Sequence, residues 1–334
     1  MKTYIFSALT AGILATSALG QDVNIYSYRQ PELLKPLTDA FTEQTGITVN
    51  VAYLDKGLIE RMKAEGKRSP ADVILTVDIA RLSAVVDAGL TQSVDSTIIE
   101  QNVPQQYRDP NNHWFGLSTR ARIAYASKDR VADGELTTYE DLASDKWRGR
   151  ICTRSGMHDY NIALTSAMIA HHGAAATKTW LQGVKDNLAR RPQGNDRAQV
   201  KAIWSGECDI SIGNTYYMGQ MLSDPEQQEW ADSVRILFPV FENGGVHVNV
   251  SGVAMAKHAP NPDQALALIE FLTSPAAQEI YADANFEYPI AAGTDPNAVV
   301  SSWGTFTADD LNVTELAKHR GAALQMTEQV DFDN

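Results

Sequence analysis

The chain contains only two cysteines in 334 residues, Cys152 and Cys208. One pair excludes a cysteine-rich scaffold and offers no zinc-site spacing. Runs of Lys or Arg are also missing, and the formal net charge is −13. That excludes a basic face for nucleic acid and an electrostatic anchor on an anionic membrane. The glycine-rich loops that cradle phosphates are absent, and no spacing suggests a nucleophile with its base and orienter. There is no internal repeat and no low-complexity segment. With 44% apolar and 21% charged residues, the composition is that of a globular protein, and the length allows two domains with a core each.

What is present begins with a targeting signal. Lys2 precedes an apolar stretch over residues 4–15, and Ala18 and Gly20 supply small side chains at the −3 and −1 positions. This reads as a signal peptide over residues 1–20, cleaved between Gly20 and Gln21, and too short for a membrane span. No cysteine follows the cleavage point, so no lipid anchor is expected. Loss of Lys2 leaves 27 basic residues against 41 acidic ones. In an exported chain the two cysteines read as a disulfide, each in a predicted strand.

Apolar periodicity predicts strand 23–28, helix 32–45, strand 47–53, helix 58–64 and strand 71–76, the alternation of a doubly wound α/β sheet. A long extended segment follows over 114–126. Helix 137–146, strand 150–154, a turn over 155–161 and helices 162–170, 177–189 and 198–205 come next. A short strand from Cys208 ends at Gly213 and Asn214, and a helical run begins at Tyr216. Strands 234–240 and 247–256 and an amphipathic helix 262–272, capped by Asn261, complete the pattern. The whole predicts two α/β lobes with a cleft between them, where small-ligand sites are favoured.

Three features carry chemistry. Tyr216 and Tyr217 stand together at a strand-to-helix turn, and Tyr160 stands at another. Such tyrosines serve either as packing or as hard oxygen donors to a trivalent cation, which displaces the phenolic proton. Arg120 and Arg122 lie two apart on one face of the extended segment. They read as a solvated or salt-bridged face, or as a grip on one anion. His158 reads as a surface group or a ligand, and His171-His172 as cations at a helix C-terminus.

These residues resemble the iron(III)-binding periplasmic proteins of bacterial ABC transporters, across essentially the whole mature chain. The carriers are Tyr26 to Gln30 (YSYRQ), Ser69 to Val73 (SPADV), Thr119 to Arg122 (TRAR) and 138–150 (TYEDLA with KWRGR). His158 to Asn161 (HDYN), Gly213 to Tyr217 (GNTYY) and 269–275 (IEFLTSP) complete the set. The resemblance implies the two-lobed periplasmic binding-protein fold of type II, each lobe a doubly wound mixed sheet. Residues 21–119 with about 245–293 would form the N-terminal lobe, and 120–244 with about 294–334 the C-terminal lobe. It implies Fe(III) ligation by Tyr160, Tyr216 and Tyr217, with carbonate or bicarbonate as synergistic anion, in a periplasmic monomer that feeds an ABC permease and is not an enzyme. Some relatives add a His-Tyr dipeptide after the first strand; Gln30 and Pro31 stand there instead, which favours the branch with three tyrosines and an anion.

Charge counting points the same way. Three phenolates neutralise Fe(III), and a carbonate in the remaining shell needs a cation beside it, for which Arg120 and Arg122 are the candidates. Arg29, Gln30, Asp78 and Asn214 are expected around this core. Two other readings stay open: the same fold holding an organic or anionic solute (a polyamine, thiamine or sulfate), and a secreted hydrolase using His158 or Asp159.

Overall fold

The computed structural model describes residues 22–54 and 56–334, so the expected signal peptide lies outside the described residues. The strands in chain order are β1 (Val23–Ser27), β2 (Val49–Tyr53), β3 (Val73–Thr76), β4 (Thr91–Gln92), β5 (Phe115–Ser127), β6 (Ile151–Cys152), β7 (Ile210–Asn214), β8 (Val234–Leu237), β9 (Val248–Ala256) and β10 (Tyr288–Pro289). Their main order is β2-β1-β3-β9-β5-β7-β6.

The first half follows the predicted winding. β1 pairs in parallel with β2 and β3. The helix Pro31–Thr45 crosses between them, with Pro31 in its first turn, Leu34, Leu37 and Phe41 on its buried stripe, and Gly46 closing it at φ 73°. Only glycine adopts that left-handed turn without strain. β9 then enters antiparallel beside β3, which makes the sheet mixed.

β5 joins the two halves. All 13 of its residues are buried. It pairs with β9 as far as Ala121, then with β7 from Arg122 and β8 from Ala124. One strand thus serves two sheets, and one apolar cluster runs along it from Val23 and Leu75 to Trp180 and Phe332. The chain forms two α/β lobes with a cleft between them, reached by β5 and left through β9.

Some expected elements differ. The predicted helix 137–146 is two short 3₁₀ turns, Glu140–Ala143 and Asp145–Trp147, because Ser144 at ψ 140° interrupts the helical backbone. The predicted helices 162–170 and 177–189 belong to one element, Asp159–Asp186, bent where Gly173 leaves helical geometry (φ 76°, ψ 165°). Strand 150–154 contracts to β6. Asn261 makes no side-chain cap to the helix Pro262–Thr273; its amide turns instead to the Asp72 carboxylate. Cys152 and Cys208 are joined by a disulfide with Cα atoms 5.9 Å apart, stapling β6 to the approach of β7.

Candidate metal centre

The end of β7 is fixed before the tyrosines begin. Arg122 stands opposite Asn214 in the β5–β7 register, and Ile123 opposite Gly213. A Cβ at position 213 would lie 2.4 Å from the Tyr125 ring, so glycine is required there. Tyr125 donates its hydroxyl hydrogen to the Asn214 carbonyl at 2.6 Å. Thr215 donates its N–H to the Ala121 carbonyl at 3.1 Å, and its Oγ1 accepts the Ala121 N–H at 3.3 Å. The short helix Tyr216–Leu222 therefore starts from a clamped turn, with the two rings 4.4 Å apart and tilted by 44°.

Tyr160 arrives from the helix Asp159–Asp186. His158 caps that helix, its Nδ1 accepting the Tyr160 N–H at 3.2 Å. Asn161 ties the turn by donating to the Arg154 and Ser155 carbonyls, both at 3.1 Å. Tyr216 donates its hydroxyl hydrogen to the Tyr160 oxygen at 3.0 Å and accepts the Asn214 amide at 3.3 Å. Burial, then the neighbouring Tyr160 and Tyr217, hold the Tyr216 phenol well above its ordinary value. Burial, then Tyr160, pushes Tyr217 up to about 12. These two phenols keep their protons near neutrality unless a strong cation displaces them.

Two guanidiniums lie against the Tyr160 ring, Arg122 at 5.8 Å and Arg154 at 5.4 Å from its centroid. Both pair with the fully buried Asp196, at 3.2 and 3.0 Å. Arg122 also donates to Asn214 at 3.1 Å and Asn161 at 2.6 Å. Its terminal nitrogens are thus committed to holding the tyrosine turns.

Arg120, which lines a small cavity with Arg122 and Tyr160, has different partners. Its Nη2 donates to the Val77 carbonyl and to Ser251 Oγ at 2.9 Å, and lies 3.5 Å from Glu287. Its Nε and Nη1 have no protein partner although the residue is 2% exposed. Arg29 lies alongside, donating to Asn285 (2.5 Å), Ser251 (3.0 Å) and Glu287 (2.9 Å), with Nε unpaired. Tyr160, Tyr216 and Tyr217 line one open cleft of about 350 Å³ together with Arg29, Gln30 and Arg120.

The remaining expected residues divide by position. Asn214 touches Tyr216 from behind. Asp78 is buried outside the cleft, where it caps the helix Ile79–Asp87 and accepts the Arg81 N–H at 2.9 Å. Arg122 lies behind Tyr160 and does not line the cleft. His158 is a half-buried cap rather than a free surface group; burial, then Arg154 and Arg122, pushes its imidazole down to about 4. His171 and His172 pair with Asp309 (2.7 Å) and Glu140 (2.5 Å) rather than simply ending a helix. Asp159 pairs with Arg320 at 2.7 Å. Sequence reasoning missed Glu287, Asp196 and Tyr28. Tyr28 lines the cleft with Arg81 over its ring at 4.6 Å, and lies within the YSYRQ stretch that signalled the site. Among the described residues no cluster of three or more His, Cys, Asp or Glu side chains is placed to hold a metal, so the convergent donors are phenols.

The sequence profile of the bacterial extracellular solute-binding protein family matches residues 37–308. The chain is 44% identical to the iron uptake protein A1 of Synechocystis sp., over 92% of this chain and 86% of that protein. It is 50% identical to the ferric iron-binding protein A of Mannheimia haemolytica, solved in an open conformation, with TM-score 0.91 over 94% of this chain and 99% of that one. A Trichodesmium protein solved in complex with iron and citrate ligands is 41% identical, with TM-score 0.90 over 93% and 99% of the two chains.

Proposed function

The chain belongs to the bacterial extracellular solute-binding protein family, and from that premise we propose that it is a periplasmic ferric-ion-binding protein of an ABC iron-uptake system. Tyr160, Tyr216 and Tyr217 hold Fe(III) as phenolates. Arg120 holds a small oxyanion, carbonate or bicarbonate, that completes the metal shell. The observation that carries this reading is the meeting of three phenols with a buried arginine whose Nε and Nη1 are free. Three phenolates cancel the charge of Fe(III), and an added anion in a partly desolvated cleft requires a cation. Arg29 shares that task, whereas Arg122 holds the tyrosines in place. Citrate, found with iron in the Trichodesmium structure, would meet the same donors.

The organic-cation reading is weaker here. Tyr160 already carries two guanidiniums against its ring, so it is a poor wall for a polyamine or thiamine. We take residues 21–119 with about 245–293 as one lobe and 120–244 with about 294–334 as the other. The change of β5 partner at Ala121 and Arg122 supports that division. Closure of the lobes traps the ion, and the monomer passes it to a membrane permease. The protein has no catalytic role.

The test is a visible titration of the mature protein with ferric ammonium sulfate, with and without bicarbonate, beside Tyr216→Phe. An orange-red phenolate-to-iron band that needs bicarbonate and is weakened in the variant, which keeps two of the three phenols, is expected. A band indifferent to bicarbonate removes the anion role of Arg120, and no band removes the iron reading.

A further inference from the structure

The two arginines that face the cleft share one acid. Glu287 is 1% exposed, and both its oxygens are used. Oε1 accepts from Arg29 at 2.9 Å and lies 3.5 Å from Arg120, while Oε2 accepts from Ser118 and, at 3.2 Å, from Ser251. Burial opposes its ionisation, but Arg120, Arg29 and Ser118 outweigh that, and the carboxyl sits below its ordinary value. Its neighbours bind it to the rest of the site. Asn285 receives the other arm of Arg29. Phe286 holds a left-handed backbone (φ 55°), and its ring occupies the space a Cβ on Gly219 would need, 2.2 Å away, in the helix that begins with Tyr216. The segment 285–287 thus touches both arginines and the tyrosine helix.

We infer that Glu287 is a positioning and specificity residue of the anion site: it aims Arg29 and Arg120 into the cleft and cancels one of their two charges. The residual charge of +1, beside a ferric centre already neutralised by three phenolates, suits an anion of low charge such as bicarbonate and disfavours a trianion. A free pair of guanidiniums would reverse that preference.

The inference rests on the ferric reading, and its test separates the two. Iron is added stoichiometrically in buffer free of carbon dioxide, and the visible band is titrated with sodium bicarbonate and separately with sodium citrate. In Glu287→Gln the ratio of half-saturating bicarbonate to half-saturating citrate rises at least tenfold over wild type. A residue that merely supported the fold would shift both titrations together, so an unchanged ratio overturns the inference while leaving the iron reading intact. No band in wild type refutes both. Should Glu287→Gln show no cooperative unfolding transition, Glu287→Asp decides: it keeps the charge but withdraws the carboxylate from the arginines. Half-saturating bicarbonate then rises at least fivefold, and an unchanged value overturns the inference.

Discussion

Lowering the pH should release iron steeply, and the steepness can be worked out from the phenols. Tyr216 is held well above its ordinary value and Tyr217 is pushed up to about 12, in both cases first by burial. Both are therefore neutral in the empty protein at any pH between 5 and 8, and each must expel a proton to become a ligand. The sign follows directly: binding releases protons, so affinity is present at high pH and lost as pH falls. Each released proton contributes tenfold per pH unit, about 1.4 kcal/mol. These two tyrosines alone set a slope of at least two, so that one pH unit weakens binding by about 100-fold or more. Tyr216→Phe should remove one unit from the slope as well as weakening binding at every pH. The assay is competition for iron against a chelator of known proton and metal constants, from pH 5.5 to 7.5 at saturating anion, read by the visible band. A wild-type slope below two, or the same slope in the variant, would refute the assignment of these phenols as ligands.

Two further predictions concern the frame behind them. Asp196→Asn leaves Arg122 and Arg154 without their buried carboxylate, and should lower stability by about 3–5 kcal/mol in denaturant unfolding, as when one partner leaves a buried ion pair; a loss under about 1 kcal/mol would show that the triad is dispensable. Reducing the Cys152–Cys208 disulfide, which spans 56 residues of sequence, should cost up to about 4 kcal/mol by loop-closure entropy, seen as a lower denaturant midpoint with reductant present; an unmoved midpoint would mean that the staple does not restrain the unfolded chain.

The fold was legible because its signals are local. Val23–Ser27 and Pro31–Thr45 each carry their own period and stop residues, Val73–Thr76 is a short apolar run buried on both faces, and the extended span through Arg120 and Arg122 is a run of alternation too long for a helix turn. The failures fall where local signals compete. Helical spacing over 137–146 lost to a break at Ser144, and Gly173 bends a helix that the pattern divided in two. In the site, Tyr160, Tyr216 and Tyr217 could be named because turns punctuate them. Their arginine partners could be named as a pair but not told apart. In the register Arg120 faces Asn249 on β9 and Arg122 faces Asn214 on β7; both line a small cavity beside Tyr160, and their buried acids, Glu287 for one and Asp196 for the other, tell them apart.

On the proposed reading, metal and anion divide one cleft between them. A trivalent cation and its companion anion need opposite surroundings: donors that lose protons, and cations that keep theirs. Placed on one wall they would oppose each other, since an uncompensated arginine beside a phenol lowers its proton affinity and repels the incoming cation. Here the arginines nearest Tyr160 are neutralised in part by Asp196, and those on the facing wall by Glu287. Each acid is buried, is distant in sequence from the group it serves, and carries no pattern of its own. A carboxylate of this kind is one among 41 acidic residues until the fold brings its arginines to it, which is why the convergence of the tyrosines could be read from the sequence and the buried acids around them could not.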